Sequence, residues 1–484
     1  MRLSLLAGEG MRLMGDGGVE IAGLCADSRQ LRPGDLFAAL GGSRDDGRRY
    51  IADALARGAV AVLGPQGIGE AGLGVPVVEV DDPRSALARM AAKLAGAQPD
   101  HVVAVTGTNG KTSTAVFTRQ IWQMLGHPAA SLGTLGLDAP GRHIPGSLTT
   151  PDPITLHRLA AELAGEGVQH LAIEASSHGL DQRRLDGLRI AAGAFTNLTR
   201  DHFDYHGGEA AYLAAKRRLF TELLPEGSVA VLNADVPEFA TLAADAAARD
   251  LEIIDYGRAA TRLRLVGQEL HEAGQILELE LDGRRMTADL PLVGDFQAWN
   301  ALAALGLVAG TGGDLMAAAA MLAALKGAPG RMQLVTRHRN GAAVFVDYAH
   351  TPDALEKALL ALRAHTQGRL VVAFGCGGDR DPGKRPVMGR IARQRADRVI
   401  VTDDNPRGED PAWIRAAVMQ GAGSEALEIG DRAQAIATGI TMLEPADVLL
   451  VAGKGHEAGQ TIAGVTHPFD DATVCRAAAQ GIVV

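Results

Sequence analysis

The residues best suited to chemistry lie in Thr106 to Thr112, TGTNGKT. The apolar run His101 to Val105 reads as a buried strand, Gly107 to Gly110 as a tight turn, and Thr112 onward as a helix ending near Gly126. That order aims backbone N–H groups and the positive end of a helix dipole at an anion. Gly107, Thr108, Asn109 and Gly110 form the cradle, Lys111 neutralises phosphate charge, and Thr112, followed by Ser113, carries the hydroxyl that such loops place on Mg²⁺. The common GxxxxGK[ST] pattern would have a glycine where Val105 stands, so this loop is a shorter variant. ATP is the ligand it suits.

Bound ATP gathers negative oxygens in one place, which calls for Mg²⁺ on hard oxygen ligands and often one imidazole. Glu174, at a strand end, is a suitable ligand. Taken alone, His202 beside Asp201 and Asp204 is a hydrogen-bonded loop residue, and Lys216 in an Ala-rich helix is a solvated surface lysine. An amino acid as acceptor needs a bidentate cation for its carboxylate and acidic or carbonyl groups for its ammonium. Arg380 in GGDRDPGKRP, the run Asp404-Asn405-Pro406-Arg407, and Gly453 with Glu457 offer these groups, each after a strand. The charged stretch Asp379 to Lys384 would by itself be a solvated loop.

These residues need elements to position them. A chain of 484 residues has room for about three domains. Residues 1–97 read as a small α/β domain with short apolar runs at Ala59 to Leu63 and Val75 to Val80 and a helix from Ser85 to Ala97. Gln98-Pro99-Asp100 is a linker, and a central ATP-binding domain follows over 98–330, with strands at Leu171 to Ile173, Ala192 to Phe195 and Val229 to Leu232 and a helix from Ala298 to Ala309. Gly327-Ala328-Pro329-Gly330 breaks the chain again. Over 331–484 strands at Ala343 to Val346, Leu370 to Phe374, Arg398 to Val401 and Val448 to Val451 alternate with helices, the mark of a parallel sheet. The fold class is therefore α/β in three domains. Ligands of open parallel sheets sit at the carboxyl ends of the strands, and two such sheets face to face would form a cleft.

Composition narrows the partners. A net charge of −10 argues against a sequence-independent grip on nucleic acid, which needs a basic face. Cys25, Cys376 and Cys475 are widely spaced and odd in number, which fits a reducing cytoplasm and neither a disulfide framework nor a metal cluster. No apolar stretch is of signal-peptide or membrane-spanning length.

TGTNGKT, EASSHGL (Glu174 to Leu180), TNLTRDHFDYHG (Thr196 to Gly207), the AAK ending at Lys216, DYAHTPDAL (Asp347 to Leu355) and GKGHE (Gly453 to Glu457) together resemble the Mur ligase family, over about Asp27 to Gln460. The resemblance implies a central P-loop-type ATPase sheet, a Rossmann-like C-terminal domain for the amino acid, and an N-terminal domain for a UDP-linked substrate. It makes Glu174, His202 and Thr112 metal ligands, with Asp201, Asp204 and His206 in support. It makes Lys216 a lysine carbamylated by CO₂, so that a cation becomes an anion able to support the metal. Asn300 in GDFQAWN would reach the adenine side, with Gln297 where relatives more often carry asparagine, while Arg331 and Asp347 would close the third domain over ATP; taken alone those two form an interdomain salt bridge. Around the UDP-substrate it places Ala26, Ser28, Ser43, Arg44 and Asp45, and then Thr149, Thr150, Ser176, Gln182 and Arg184.

The implied reaction adds meso-diaminopimelate to a UDP-muramoyl dipeptide through an acyl phosphate, in cytoplasmic peptidoglycan precursor synthesis, by a monomer without nucleic acid or membrane partners. Diaminopimelate carries a carboxylate and an ammonium at its far end where lysine has only an amine, so the fixed arginine and acid of DNPR favour the former. A lysine-adding ligase and a folylpolyglutamate synthetase are the alternative enzymes. A nucleotide-driven switch is the alternative outside enzymes.

Overall fold

The computed structural model describes residues 1–42, 45–146, 148–199 and 201–482. It divides into two compact units, residues 1–263 with 302–318 and residues 264–301 with 319–484.

The first unit opens with five short strands, β1 (Arg12–Met14), β2 (Gly23–Cys25), β3 (Asp35–Ala38), β4 (Ala61–Gly64) and β5 (Val77–Glu79). Their order is β1-β5-β4-β3-β2, parallel except where β1 meets β5. Because side chains alternate along a strand, Leu36, Ala61 and Val78 pack against Ala86, Leu87 and Met90 of the helix Pro83–Ala95, while Phe37 and Val62 pack on the other face with Ile51 and Ala54. That helix starts where Asp82 accepts a bond from the Ser85 N–H, with Pro83 in its first turn.

A larger sheet follows, made of β6 (His101–Thr106), β7 (Ala129–Gly133), β8 (Gly136–Ala139), β9 (Arg142–Ile144), β10 (His170–Glu174), β11 (Ile190–Phe195), β12 (Val229–Asn233) and β13 (Glu252–Gly257). The order runs β13-β12-β11-β6-β10-β7-β8-β9. Strands from β13 to β7 are parallel, and β8 and β9 add an antiparallel rim that the apolar runs did not announce. The register pairs Val105 with Glu174 and Thr106 with Phe195, so β6, β10 and β11 end level with one another. The chain order reverses about β6, the position at which open parallel sheets bind ligands.

One buried ion pair ties this sheet's helices to the first domain. Arg218 donates twice to Asp186, at 2.7 and 2.8 Å, and the Ser85 hydroxyl donates to the same carboxylate at 2.6 Å. Arg218→Met leaves that carboxylate buried and without its cation. The expected cost is about 3 kcal/mol of stability, read as a lower denaturant midpoint with no change in the denaturation slope.

The second unit contains β14 (Leu263–His271), β15 (Gly274–Leu281) and β16 (Arg284–Leu290), of which β15 and β16 form an antiparallel hairpin. No continuous apolar run marks these strands, because Glu, Arg and Asp alternate with the apolar residues, as they do in antiparallel strands with one solvated face. A six-stranded sheet follows: β17 (Gln333–Arg337), β18 (Ala343–Asp347), β19 (Leu370–Phe374), β20 (Arg398–Val401), β21 (Leu427–Glu428) and β22 (Val448–Ala452), in the order β17-β18-β22-β19-β20-β21. All but β17 are parallel, and Asp347, Phe374 and Ala452 lie level. Loops after β18, β19, β20 and β22 therefore share one edge. A hairpin of β23 (Gly459–Ile462) and β24 (Val465–Pro468) closes the set.

Candidate functional site

The phosphate loop joins β6 to the helix Lys111–Met124, and Gly110, at φ 87°, caps that helix. Gly107 has φ 141°, and a Cβ there would lie 1.9 Å from the Thr196 hydroxyl, so only glycine fits. The loop is clamped by the segment after β11: Thr108 N–H donates to Asn197 O (2.8 Å), Asn109 N–H to Asn197 Oδ1 (3.0 Å), and Thr196 Oγ1 to Asn109 O (2.6 Å). Thr112 and Ser113 are buried in the first helical turn.

Two lysines converge on one carbonyl. Lys111 Nζ donates to Gly107 O at 3.0 Å and to Thr108 O at 2.8 Å, and Lys216 Nζ donates to the same Gly107 O at 2.7 Å. Lys216 is 1% exposed, which corrects the solvated reading: the helix Glu209–Arg218 turns this face onto the phosphate loop. Burial, and then the charge on Lys111, drives the Lys216 amine well below its ordinary pKa. The Tyr212 ring lies 4.3 Å from Lys216 Nζ, and its hydroxyl is 3.1 Å from Thr108 Oγ1.

Glu174 ends β10 with its side chain buried. It accepts from Thr112 Oγ1 (2.9 Å), Thr134 N–H (2.7 Å) and Thr134 Oγ1 (3.2 Å). Gly133 gives it room, since a Cβ there would be 2.1 Å from Oε1. Thr112 and Glu174 thus present adjacent hard oxygens of the kind that suit a divalent cation. His202 lies in a ring cluster, 4.7 Å from His178 and 6.5 Å from Tyr212, with Nε2 3.5 Å from Asp201. Among the described residues no group of three or more His, Cys, Asp or Glu side chains is arranged to hold a metal. His206 belongs to the same ring cluster, and the Asp204 side chain lies outside the described residues.

The peptide-side candidates form one network. Thr150 Oγ1 donates to Glu174 O (2.7 Å) and lies 3.0 Å from Ser176 Oγ, while Thr149 Oγ1 lies 3.0 Å from Thr134 Oγ1. Arg184 donates to Thr150 O (2.6 Å) and to Gln182 Oε1 (2.7 Å), and Gln182 donates to the Tyr205 hydroxyl (3.0 Å). Near the N-terminus, Ala26 is exposed, Ser28 is buried, and Asp45 is exposed and accepts from the Tyr50 hydroxyl. Ser43 and Arg44 lie outside the described residues.

In the second unit a cavity of about 640 Å³ opens at the shared edge of the six-stranded sheet. Arg380, Asp404, Asn405, Arg407, Gly453 and Glu457 all line it; Pro406 does not, and its carbonyl lies so close to Gly378 that a Cβ there would sit 1.9 Å away. Asp404 is buried with Oδ2 unpartnered, and a Cβ on Gly453 would come within 2.4 Å of that oxygen. Asn405 Nδ2 donates to Glu457 Oε2 at 2.8 Å. Arg407, at φ 52°, donates through Nη1 to Gly378 O at 2.8 Å. Arg380 and Asp381, read in isolation as solvated, are exposed and still line the cavity. Tyr348, His350 and Lys384 line it too; nothing in their spacing announced the first two, although both follow the β18 strand end.

Arg331 stacks over Tyr348 at 4.7 Å. Asp347 accepts from the N–H groups of Met332 (2.7 Å) and Ala349 (2.8 Å), and burial raises its carboxyl pKa. These two residues do not form the direct ion pair that the isolated reading gave them, because the carboxylate is taken by backbone donors. Asn300 donates to Gln297 Oε1 at 2.9 Å, and both are buried at the start of the helix Gln297–Ala309.

The Mur ligase middle-domain model matches residues 105–308, the Mur ligase glutamate ligase domain residues 330–455, and the Mur ligase family catalytic domain residues 20–94. A UDP-N-acetylmuramoyl-L-alanyl-D-glutamate–2,6-diaminopimelate ligase of Chelativorans sp. (strain BNC1) is 55% identical over 456 residues, covering 94% of each chain. The ligase of the same name from Rhizobium meliloti (strain 1021) is 52% identical over 488 residues, covering 100% of both. A solved structure of a ligase so named superposes with a TM-score of 0.71 at 35% identity, covering 95% of each chain. With three family domains matched in order and such identity along its length, this chain belongs to the Mur ligase family of ATP-dependent, amide-bond-forming enzymes.

Proposed function

We propose that this chain joins meso-diaminopimelate to the D-glutamyl carboxylate of UDP-N-acetylmuramoyl-L-alanyl-D-glutamate, with cleavage of ATP to ADP and phosphate, in peptidoglycan precursor synthesis. The observation that carries the reading is the cavity in which Arg380 and Arg407 stand with Asp404, Asn405 and Glu457, since it offers cations for carboxylates and acids for an ammonium. Relatives that share half of its residues along the whole chain carry the name of that reaction.

The chemistry follows from the groups present. Loop amides from Gly107 to Lys111 and the Lys111 ammonium bind the ATP phosphates. The substrate carboxylate attacks the γ-phosphorus, the bond to ADP breaks, and an acyl phosphate forms. The diaminopimelate amine then attacks the acyl carbon, loses a proton, and displaces phosphate to leave the amide. Thr150, Ser176, Gln182 and Arg184 hold the dipeptide end, and Ala26, Ser28 and Asp45 the uridine end. Asn300, Arg331 and Asp347 serve the nucleotide.

Mg²⁺, when bound, neutralises phosphate charge. Thr112 and Glu174 would hold it, supported by His202 and by a carbamate on Lys216. The low pKa of Lys216 supports the carbamate, since only a neutral amine adds to CO₂ and a neutral amine is what burial beside Lys111 favours. Domain limits at 97 and 330 and a monomeric state complete the reading. It places the enzyme in the cytoplasm with its nucleotide substrates. No helix among the described residues is long and apolar enough to cross a membrane.

The test is mass spectrometry of the product formed from the UDP-muramoyl dipeptide, ATP and either diaminopimelate or lysine. A tripeptide made with diaminopimelate alone is expected. Equal turnover of lysine, or phosphate release that needs neither substrate, overturns the reading.

A further inference from the structure

Lys454 in the loop after β22 is fully buried, with 0% of its surface exposed, and does not line the acceptor cavity. Its ammonium lies immediately behind the wall. Nζ donates to Asn405 Oδ1 at 3.3 Å, to Glu457 Oε2 at 3.4 Å and to Gly459 O at 2.5 Å. An ammonium has three donors, and each goes to a different segment: the loop after β20, the loop after β22, and the start of the β23–β24 hairpin.

The consequence for Asn405 is directional. Its Oδ1 also accepts from the Thr461 N–H at 2.9 Å, so two donors fix the amide oxygen on the side away from Glu457. Nδ2 is thereby turned to donate to Glu457 Oε2 at 2.8 Å. With Oε2 taken by Asn405 and Lys454, Oε1 of Glu457 is the oxygen left for a cavity ligand. The hairpin completes the frame: Gln460 Nε2 donates to Asp404 O at 2.8 Å, and the Arg407 N–H donates to Thr461 O at 2.9 Å.

We propose that Lys454 is a positioning residue for the acceptor amino acid: it locks the Asn405 amide and the Glu457 carboxylate into the one orientation that receives an ammonium group of diaminopimelate. The inference rests on the assignment of this cavity to diaminopimelate. Lys454 touches no reacting atom and acts through its two neighbours. Its loss therefore appears in the acceptor's KM and leaves the nucleotide's KM in place.

The experiment compares wild type, Lys454→Met and the milder Lys454→Gln in the steady-state ligase assay with diaminopimelate varied, alone and in a Glu457→Gln background, with thermal unfolding of each. Both single variants are expected to raise the KM for diaminopimelate about tenfold or more, the scale of hydrogen bonds to charged groups, with the KM for ATP unchanged. In the Glu457→Gln background the same substitutions are expected to add little, because their route to the substrate is already cut. If Met is not tolerated, Gln carries the comparison. Unchanged acceptor KM in a folded variant, full additivity with Glu457→Gln, or loss of folding in both variants overturns the inference. Failure of wild type to use diaminopimelate would overturn the functional reading instead, so the two are separable.

Discussion

Lys216→Ala lowers kcat by about 10³-fold, the scale on which removal of one electrostatic group from an active site is felt, and short carboxylic acids restore much of the loss. The expectation follows from three observations at one point. Lys216 is buried, shares the Gly107 carbonyl with Lys111, and has its pKa pushed well below the ordinary lysine range by burial and by that neighbour. A folded pKa below the unfolded value means that the amine is neutral over a pH range in which a surface lysine is charged. A neutral amine can add to CO₂; the product loses a proton and becomes an anion beside Lys111. Formate or acetate in the space left by alanine would replace that anion. The checks are kcat with and without added acid, and uptake of isotopically labelled CO₂ by wild type but not by the variant. Wild type without label, together with a variant that no acid rescues, would falsify the carbamate.

Arg407→Ala lowers kcat/KM for diaminopimelate by about 10³-fold, as when one partner of a desolvated charge pair is truncated, and leaves the KM for ATP where it was. The residue is held in a left-handed turn after β20, its guanidinium fixed against Gly378 O and its N–H against Thr461 O. A cation fixed in that way selects a ligand with a carboxylate at the far end and has nothing to offer one that lacks it. The ratio of diaminopimelate to lysine turnover should therefore collapse. A variant that keeps its ratio would show that selection resides elsewhere on the wall.

How legible a residue was depended on how local its setting is. TGTNGKT could be read because a strand, a glycine turn and a helix start are all encoded within a few neighbours. The loops after β19, β20 and β22 were legible as a group, since parallel strands bring their carboxyl ends to one edge. Lys216 was not: its burial depends on which face of its helix meets a loop more than a hundred residues earlier. Thr134 is hidden for the same reason, because its bonds reach Thr149 and Glu174, the latter forty residues on. β14 to β16 escaped because their charged residues interrupt the apolar run. His202 is a motif residue whose setting, a cluster of rings beside Asp201, depends on chain segments that its own neighbours in sequence do not include.

Glu174 is used at both ends. Its carboxylate holds Thr112 of the phosphate loop, while its main-chain carbonyl holds Thr150, which in turn orders Ser176 and Arg184. The carbonyl cannot be altered by mutation, and the carboxylate cannot be altered without disturbing the nucleotide side. A compound seated against Thr150 and Arg184 would therefore lean on an anchor that mutation cannot remove, and replacing Glu174 to shift it would also disturb Thr112 of the phosphate loop.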